Sequence, residues 1–143
     1  DLTGVVTSDN ISVMPSITVS DGAAVDQTVQ AGSDGSYSID VPAGTYTVQL
    51  KLVGYLTRTF NNVVVTAGQS APLDTTKLRG GDILPDGAIE DGDLGVINTA
   101  WYTAEGDDAF DAMADLTGDS AIEDGDLGVL NANWYLDESV YDN

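Results

Sequence analysis

Residues 89–102 read IEDGDLGVINTAWY and residues 122–135 read IEDGDLGVLNANWY, identical at eleven of fourteen positions and 33 residues apart. The residues before each copy complete a loop with oxygens at regular spacing. The second loop is Asp115-Leu116-Thr117-Gly118-Asp119-Ser120-Ala121-Ile122-Glu123-Asp124-Gly125-Asp126. An EF-hand type of calcium loop takes oxygens from positions 1, 3, 5, 7 (a backbone carbonyl), 9 and 12. Those positions hold Asp115, Thr117, Asp119, Ala121, Glu123 and Asp126. In the first loop the oxygens come from Asp82, Asp86, the Ala88 carbonyl, Glu90 and Asp93. Calcium is a hard cation that takes about six to eight oxygens in flexible geometry, whereas magnesium keeps its waters and suits such loops less. Two calcium ions are therefore expected, one per loop. A merely solvated acidic surface has no reason to repeat this spacing with Ile at position 8 both times.

The loops also depart from the ideal. Position 3 of the first loop is Leu84, which offers no side-chain oxygen, so that loop is expected to bind more weakly. Position 6 of the second loop is Ser120, where Gly normally makes a sharp turn, and a positive φ there strains Ser. Position 12 is Asp in both loops, a shorter reach than the usual Glu.

Behind each loop the period changes to that of a helix. Leu94, Ile97 and Trp101 share one helical face, and Leu127, Leu130 and Trp134 repeat it. Between the copies, Asp107 and Asp108 predict the start of a third helix, with Phe110 and Met113 as its apolar face. Gly95 and Gly128 sit inside the helices, where Gly costs about 1 kcal/mol against Ala. Either something approaches closely there, or duplication copied a neutral Gly.

Moving outward, the charge is lopsided. The 143 residues carry 24 acidic and 4 basic side chains, a net charge of −20, with no His and no Cys. Disulfides, Cys/His zinc sites and His-based nucleophile machinery are thereby excluded. A basic footprint for nucleic acid is missing. Residues 1–78 hold 7 acidic and 3 basic residues, whereas 79–143 hold 17 acidic residues and one Arg, net −16. That asymmetry predicts two modules, 1–76 and 77–143. No stretch approaches the roughly 18 apolar residues of a membrane span. The chain opens on a strand-like run and is expected to be a mature piece of something larger.

The first module reads as strands. Tyr46, Val48, Leu50 and Leu52 alternate with Thr45, Thr47, Gln49 and Lys51, the period of a half-buried strand. Tyr37-Ser38-Ile39-Asp40-Val41 alternates likewise, and Pro42-Ala43-Gly44 between the two predicts a β-hairpin. Further runs are Gly4–Thr7, Ile11–Val13, Ile17–Val19, Val25–Val29 and Asn62–Thr66. Short strands at this spacing predict an all-β sandwich.

The stretch Asp34-Gly35-Ser36-Tyr37-Ser38-Ile39-Asp40-Val41-Pro42-Ala43-Gly44-Thr45-Tyr46-Thr47-Val48, then Gly54-Tyr55, resembles the carboxypeptidase regulatory-like family over about residues 2–73. That resemblance implies a transthyretin-like, seven-stranded sandwich without catalytic residues, an appendage rather than a peptidase. Tyr37, Tyr46 and Tyr55 read as core and turn packing; a sugar-stacking platform is the sharper alternative.

The duplicated loop, D-x-x-x-D-G/S-x-I-x-x-x-D followed by an L-x-x-L/I helix, resembles the dockerin family over about residues 79–136, with Arg79-Gly80-Gly81-Asp82 as its lead-in. This implies a small all-α module of two "F-hands", each a calcium loop with a helix only behind it. It also implies binding to a cohesin domain of a scaffold or cell-surface protein, in a secreted, cellulosome-type assembly that degrades polysaccharide. A sandwich or X module is a familiar neighbour of a dockerin. The implied contact residues are Asp91, Gly92, Gly95, Val96, Asn98, Thr99 and Thr103 in the first copy. The second offers Asp124, Gly125, Gly128, Val129, Asn131, Ala132 and Leu136.

The copies should pack with approximate two-fold symmetry, Ile89 against Ile122, so that either face could meet one partner. Ala132 and Leu136 make the second face more apolar, which favours it. Neither an enzyme nor a small-molecule substrate is expected. The competing readings are a calcium-stiffened stalk of a surface protein and a carbohydrate-binding sandwich.

Overall fold

The computed structural model describes residues 1–24 and 26–142. In chain order the strands are β1 (Leu2–Thr7), β2 (Ser16–Ser20), β3 (Asp26–Gln30), β4 (Ser36–Ile39), β5 (Gly44–Lys51), β6 (Gly54–Tyr55), β7 (Arg58–Val65), β8 (Ala71–Pro72), β9 (Thr76–Lys77) and β10 (Gly80–Asp82). Helix α1 (Asp91–Thr99), strands β11 (Thr103–Ala104) and β12 (Ala121–Ile122), helix α2 (Asp124–Ala132) and a 3-10 turn (Glu138–Tyr141) follow. Two compact units result. One comprises Asp1–Thr7, Met14–Lys51 and Arg58–Lys77; the other comprises Ser8–Val13, Leu52–Thr57 and the chain from Leu78 onward.

The first unit is a β-sandwich. One sheet has the order β3-β2-β5-β7, and in the other β1 lies between β4 and β8, with β9 also on β1. The alternation seen in the sequence is the alternation of burial. Ile17 and Val19 of β2, Tyr37 and Ile39 of β4, and Tyr46, Val48 and Leu50 of β5 are buried, while their neighbours are not. Leu2, Val6, Val41 and Val65 complete this core. Burying such a side chain contributes on the order of 2 kcal/mol.

Three expectations need correction here. Tyr37–Val41 and Thr45–Leu52 do not form a hairpin: β4 pairs with β1, and β5 pairs with β2 and β7. The Pro42-Ala43-Gly44 connection instead carries the chain from one sheet to the other. The Tyr46 hydroxyl pins it by donating to the Pro42 carbonyl at 2.7 Å, a bond from a Tyr back to upstream backbone of the kind that fixes sandwich corners. Ile11–Val13 is not a strand and belongs to the second unit. Of the run Val25–Val29, residues 26–29 lie in β3, and Val25 lies outside the described residues. Tyr37, Tyr46 and Tyr55 are 6%, 3% and 4% exposed, so these rings offer no sugar-stacking platform.

The second unit is not purely helical. β6 pairs with β10, and β11 pairs with β12. Residues 107–113 form turns rather than the expected third helix. The acidic start at Asp107 instead closes a turn, its carboxylate accepting the Ala104 N–H at 2.9 Å. Both nine-residue helices bury one apolar stripe, with Ile97 and Leu130 fully covered and Leu94 and Leu127 half-buried; the expected helical face stops short of Trp101 and Trp134, which are half-buried in the turns just beyond Thr99 and Ala132. Each helix starts the same way. Asp93 accepts the Glu90 N–H at 2.8 Å, and Asp126 accepts the Glu123 N–H at 3.0 Å, each an N3 carboxylate reaching back to the cap.

Ile89 and Ile122, expected to pack against each other, are both fully buried, and their backbones form two reciprocal clasps. Ile89 donates to the Leu136 carbonyl and accepts from the Tyr135 N–H, both at 2.9 Å. In the other copy, the Tyr102 N–H donates to the Ile122 carbonyl at 2.9 Å and Thr103 pairs with Ile122. Each loop is thus sewn to the chain just beyond the other copy's helix. Tyr102 and Tyr135 reach these positions at φ of 57° and 60°, a region that disfavours large side chains. The clasps hold that strain in both copies.

Candidate metal loops and docking face

The second loop gathers its carboxylates. Oxygens of Asp115, Asp119 and Asp126 lie within 4.8 Å of one another, and this is the one such cluster among the described residues. Backbone geometry sets it up. Asp115 accepts N–H groups from Gly118 (2.9 Å), Asp119 (3.2 Å) and Ser120 (2.9 Å). The fully buried Asp126 accepts the Thr117 N–H at 3.0 Å and the Thr117 hydroxyl at 3.2 Å. Asp119 accepts the Ala121 N–H at 3.1 Å. Ser120 adopts φ 68°, the strained turn expected at position 6. Glu123 is exposed and Ala121 half-buried at the ends of the ligand set. Burial is the main cause of the raised Asp115 pKa, with the Asp126 charge adding to it, and both effects describe carboxylates that a cation would relieve. The donor set is hard oxygen and fits calcium.

The first loop follows the same plan less fully. Asp82 is buried and accepts N–H groups from Asp86 and Gly87, each at 3.2 Å. Asp93 is buried and accepts the Leu84 N–H at 2.8 Å, and Asp86 accepts from Ala88 at 3.1 Å. Burial pushes the Asp82 carboxyl up to about 6. Leu84 at position 3 is 46% exposed, and Glu90 is exposed. Asp82, Asp86 and Asp93 do not draw together into a three-carboxylate cluster as their counterparts do.

Most of the expected partner residues lie on open helix faces. Asp91, Gly92, Gly95, Asn98 and Thr99 are exposed in the first copy, as are Asp124, Gly125, Gly128, Asn131 and Ala132 in the second. Thr103 and Leu136 are half-buried and sit in the clasps. Among the described residues, nothing beyond the helix's own nearby backbone lies within 4 Å of a Cβ placed on Gly95 or Gly128. No internal packing therefore requires either glycine.

The two Val positions differ. Val96 lines a shallow groove of about 510 Å³ with Gly92, Gly95, Thr99, Ala100 and Ala109. Val129 instead packs on Gly80, where a Cβ would lie 2.6 Å from its methyl and 2.8 Å from the Tyr55 ring. Asn133, 4% exposed, donates from its side-chain nitrogen to the Gly80 carbonyl at 2.9 Å and to the Val129 carbonyl at 3.0 Å. The counterpart of Asn133 in the first copy is Ala100, which makes no such latch. Sequence reasoning named Gly80 as part of a lead-in and Tyr55 as a packing residue, but missed Asn133 and the latch it makes to Gly80. The replacement of Ala100 by Asn133 inside an otherwise copied stretch was the available signal. Trp101 and Trp134 lean on Tyr102 and Tyr135, with centroids 4.9 and 5.0 Å apart.

Residues 1–78 match a family described as the carboxypeptidase regulatory-like domain. No curated protein matches the chain. Two crystal structures of type II cohesin–X-dockerin complexes from Acetivibrio cellulolyticus contain chains similar to it. A C-terminal interface mutant matches with a TM-score of 0.78 at 29% identity, covering 98% of each chain. An N-terminal interface mutant matches with a TM-score of 0.78 at 30% identity, again covering 98% of each.

Proposed function

We propose, for a chain that belongs to the carboxypeptidase regulatory-like domain family through residues 1–78, a non-catalytic docking function in which a dockerin folded around calcium binds a cohesin. The observation that carries this reading is the carboxylate cluster of Asp115, Asp119 and Asp126 at the head of one of two copied loop–helix units. The likeness over nearly the whole chain to chains from cohesin–X-dockerin complexes supports it. Asp115, Thr117, Asp119, the Ala121 carbonyl, Glu123 and Asp126 would hold one ion. Asp82, Asp86, the Ala88 carbonyl, Glu90 and Asp93 would hold a second, more weakly. When bound, calcium neutralises crowded carboxylates and ties each loop to its helix, so binding free energy becomes folding free energy. The sandwich serves as spacer or stabiliser, and the protein works outside the cell in a surface or cellulosome-type assembly.

The first copy's face is the better docking surface. Its groove beside Val96 is open, and Gly92, Gly95 and Thr99 let a partner come close. The equivalent Val129 is engaged with Gly80. This reverses the preference for the second face that Ala132 and Leu136 suggest.

The test is calorimetry against a panel of type II cohesins, with calcium and with EDTA. Calcium-dependent binding to at least one is expected. Asn98→Arg with Thr99→Arg should abolish it, and Asn131→Arg with Ala132→Arg should leave most of it. A reversed pattern refutes the choice of face. Calcium uptake with no cohesin bound points to the stalk reading.

A further inference from the structure

Three successive carbonyls in the second loop, at its positions 2, 3 and 4, are held from outside the loop. The Leu116 carbonyl accepts from the buried Tyr55 hydroxyl at 2.6 Å. The Thr117 carbonyl accepts from the Ile11 N–H at 2.8 Å. The Gly118 carbonyl accepts from the Ser12 hydroxyl. The donors are themselves fixed. Asn10 folds residues 10–13 into a turn, its side-chain oxygen accepting the Ser12 and Val13 N–H groups at 2.8 Å each. That oxygen also fills the space a Cβ would need at Gly118, which adopts φ 75°. On their inner side the same residues face the carboxylates. The Thr117 N–H donates to Asp126 and the Gly118 N–H to Asp115. Among the described residues the first loop has no such arrangement. Its positions 2, 3 and 4 are Ile83, Leu84 and Pro85, and the Leu84 carbonyl takes only a local bond from the Asp86 N–H, 2.6 Å away.

We infer that the Asn10–Ser12 turn and Tyr55 are positioning elements for the second calcium loop, holding Thr117 and Gly118 so that this loop binds calcium more tightly than the first and releases it more slowly. The inference rests on the calcium reading above. A loop already held near its ligating shape loses less conformational freedom when the ion arrives, and preorganisation of this kind raises affinity without adding a ligand. None of the three donors is a metal ligand, and they stand roughly a hundred residues or sixty residues away in sequence.

The experiment uses the full chain in an Asp82→Asn background, which leaves the second loop as the site read by calcium calorimetry. Adding Ser12→Ala with Tyr55→Phe should weaken binding on the order of tenfold, the size expected for losing hydrogen bonds of ordinary net strength. Release into excess chelator should quicken by a similar factor. Ser12→Ala alone, an exposed change that leaves the core intact, should give about threefold, and Ser12→Thr should restore binding. In an Asp115→Asn background, which reads the first loop, the double change should have no effect. Undiminished second-loop affinity, or equal weakening of both loops, overturns the inference while leaving the calcium reading standing. A parent chain that takes up no calcium overturns both.

Discussion

The two loop–helix copies start from nearly one sequence and end in different surroundings. Their helices begin with the same Asp-to-cap bond and end with the same clasp on the other loop. Beyond that the copies part. The second has its loop carbonyls tethered by Ile11, Ser12 and Tyr55 and its helix latched to Gly80 through Asn133. The first has an exposed Leu84, dispersed carboxylates and an open groove. Two copies of one sequence thus differ in the distant segments that touch them: residues from elsewhere in the unit hold the second, and among the described residues no equivalent set holds the first.

The largest effect should come from removing calcium. With 17 acidic residues and one Arg from 79 onward, mutual repulsion goes uncompensated without cations. Far-ultraviolet circular dichroism in EDTA, at a pH well above the Asp82 range where the acidic residues are ionised, should lose most of its helical signal, while the sandwich keeps its thermal transition. Hydrogen exchange at intermediate free calcium should show Asp91–Thr99 losing protection before Asp124–Ala132. Equal loss in both helices would break the comparison.

Next in size is the helix-starting carboxylate. Asp126→Ala removes the acceptor for two N–H groups and a hydroxyl from a fully buried site. It should cost on the order of 3 kcal/mol in calcium-loaded protein. Asp93→Ala, with two N–H partners, should cost less. Thermal melts of the pair decide the order.

A pH effect should separate the loops further. The Asp82 carboxyl is raised from 3.8 to about 6, chiefly by burial, so the metal-free native state holds its proton more tightly than the unfolded chain. The cost of ionising it is absent below about 3.8, grows as pH rises, and is complete above about 6. Metal-free protein should therefore lose stability between those values. Asp82→Asn should flatten that slope. Urea titrations at several pH values in EDTA provide the measurement, and a rising slope refutes the sign.

The smallest effect concerns the helix glycines. Gly95→Ala and Gly128→Ala meet nothing among the described residues beyond the helix's own backbone. Each should stabilise the free protein by about 0.5–1 kcal/mol. If the first face docks the partner, Gly95→Ala should weaken cohesin binding while Gly128→Ala leaves it unchanged. Identical behaviour of the two in binding would mean that neither face discriminates.

Much of this architecture was legible in the residues. Alternation along Thr45–Lys51 reports which side chains go inward, because a strand's two faces follow a period of two whatever lies alongside. It does not report which strand lies alongside. Pro42-Ala43-Gly44 suits a hairpin and a sheet-to-sheet corner equally, and only β1, brought in beside β4, decides between them. Oxygen spacing from Asp115 to Asp126 is likewise legible locally, because the loop's own N–H groups from Gly118 to Ser120 turn back onto Asp115, but how closely the carboxylates gather differs between the two loops. The expected helix after Asp107 failed because Ala104 offered that carboxylate a turn to close.

The sequence by itself determined the alternating strands of the sandwich, the duplicated oxygen spacing and the missing side-chain oxygen at Leu84, all of which are encoded within a dozen neighbouring residues. The tertiary structure alone decided which strands pair, that each Ile clasps the opposite copy's tail, and that residues 10–12, 55 and 80 hold the second copy and leave the first one open. Those outcomes depend on segments separated by tens of residues, whose approach is set by packing and by small residues such as Gly80 and Gly118 that leave room for it.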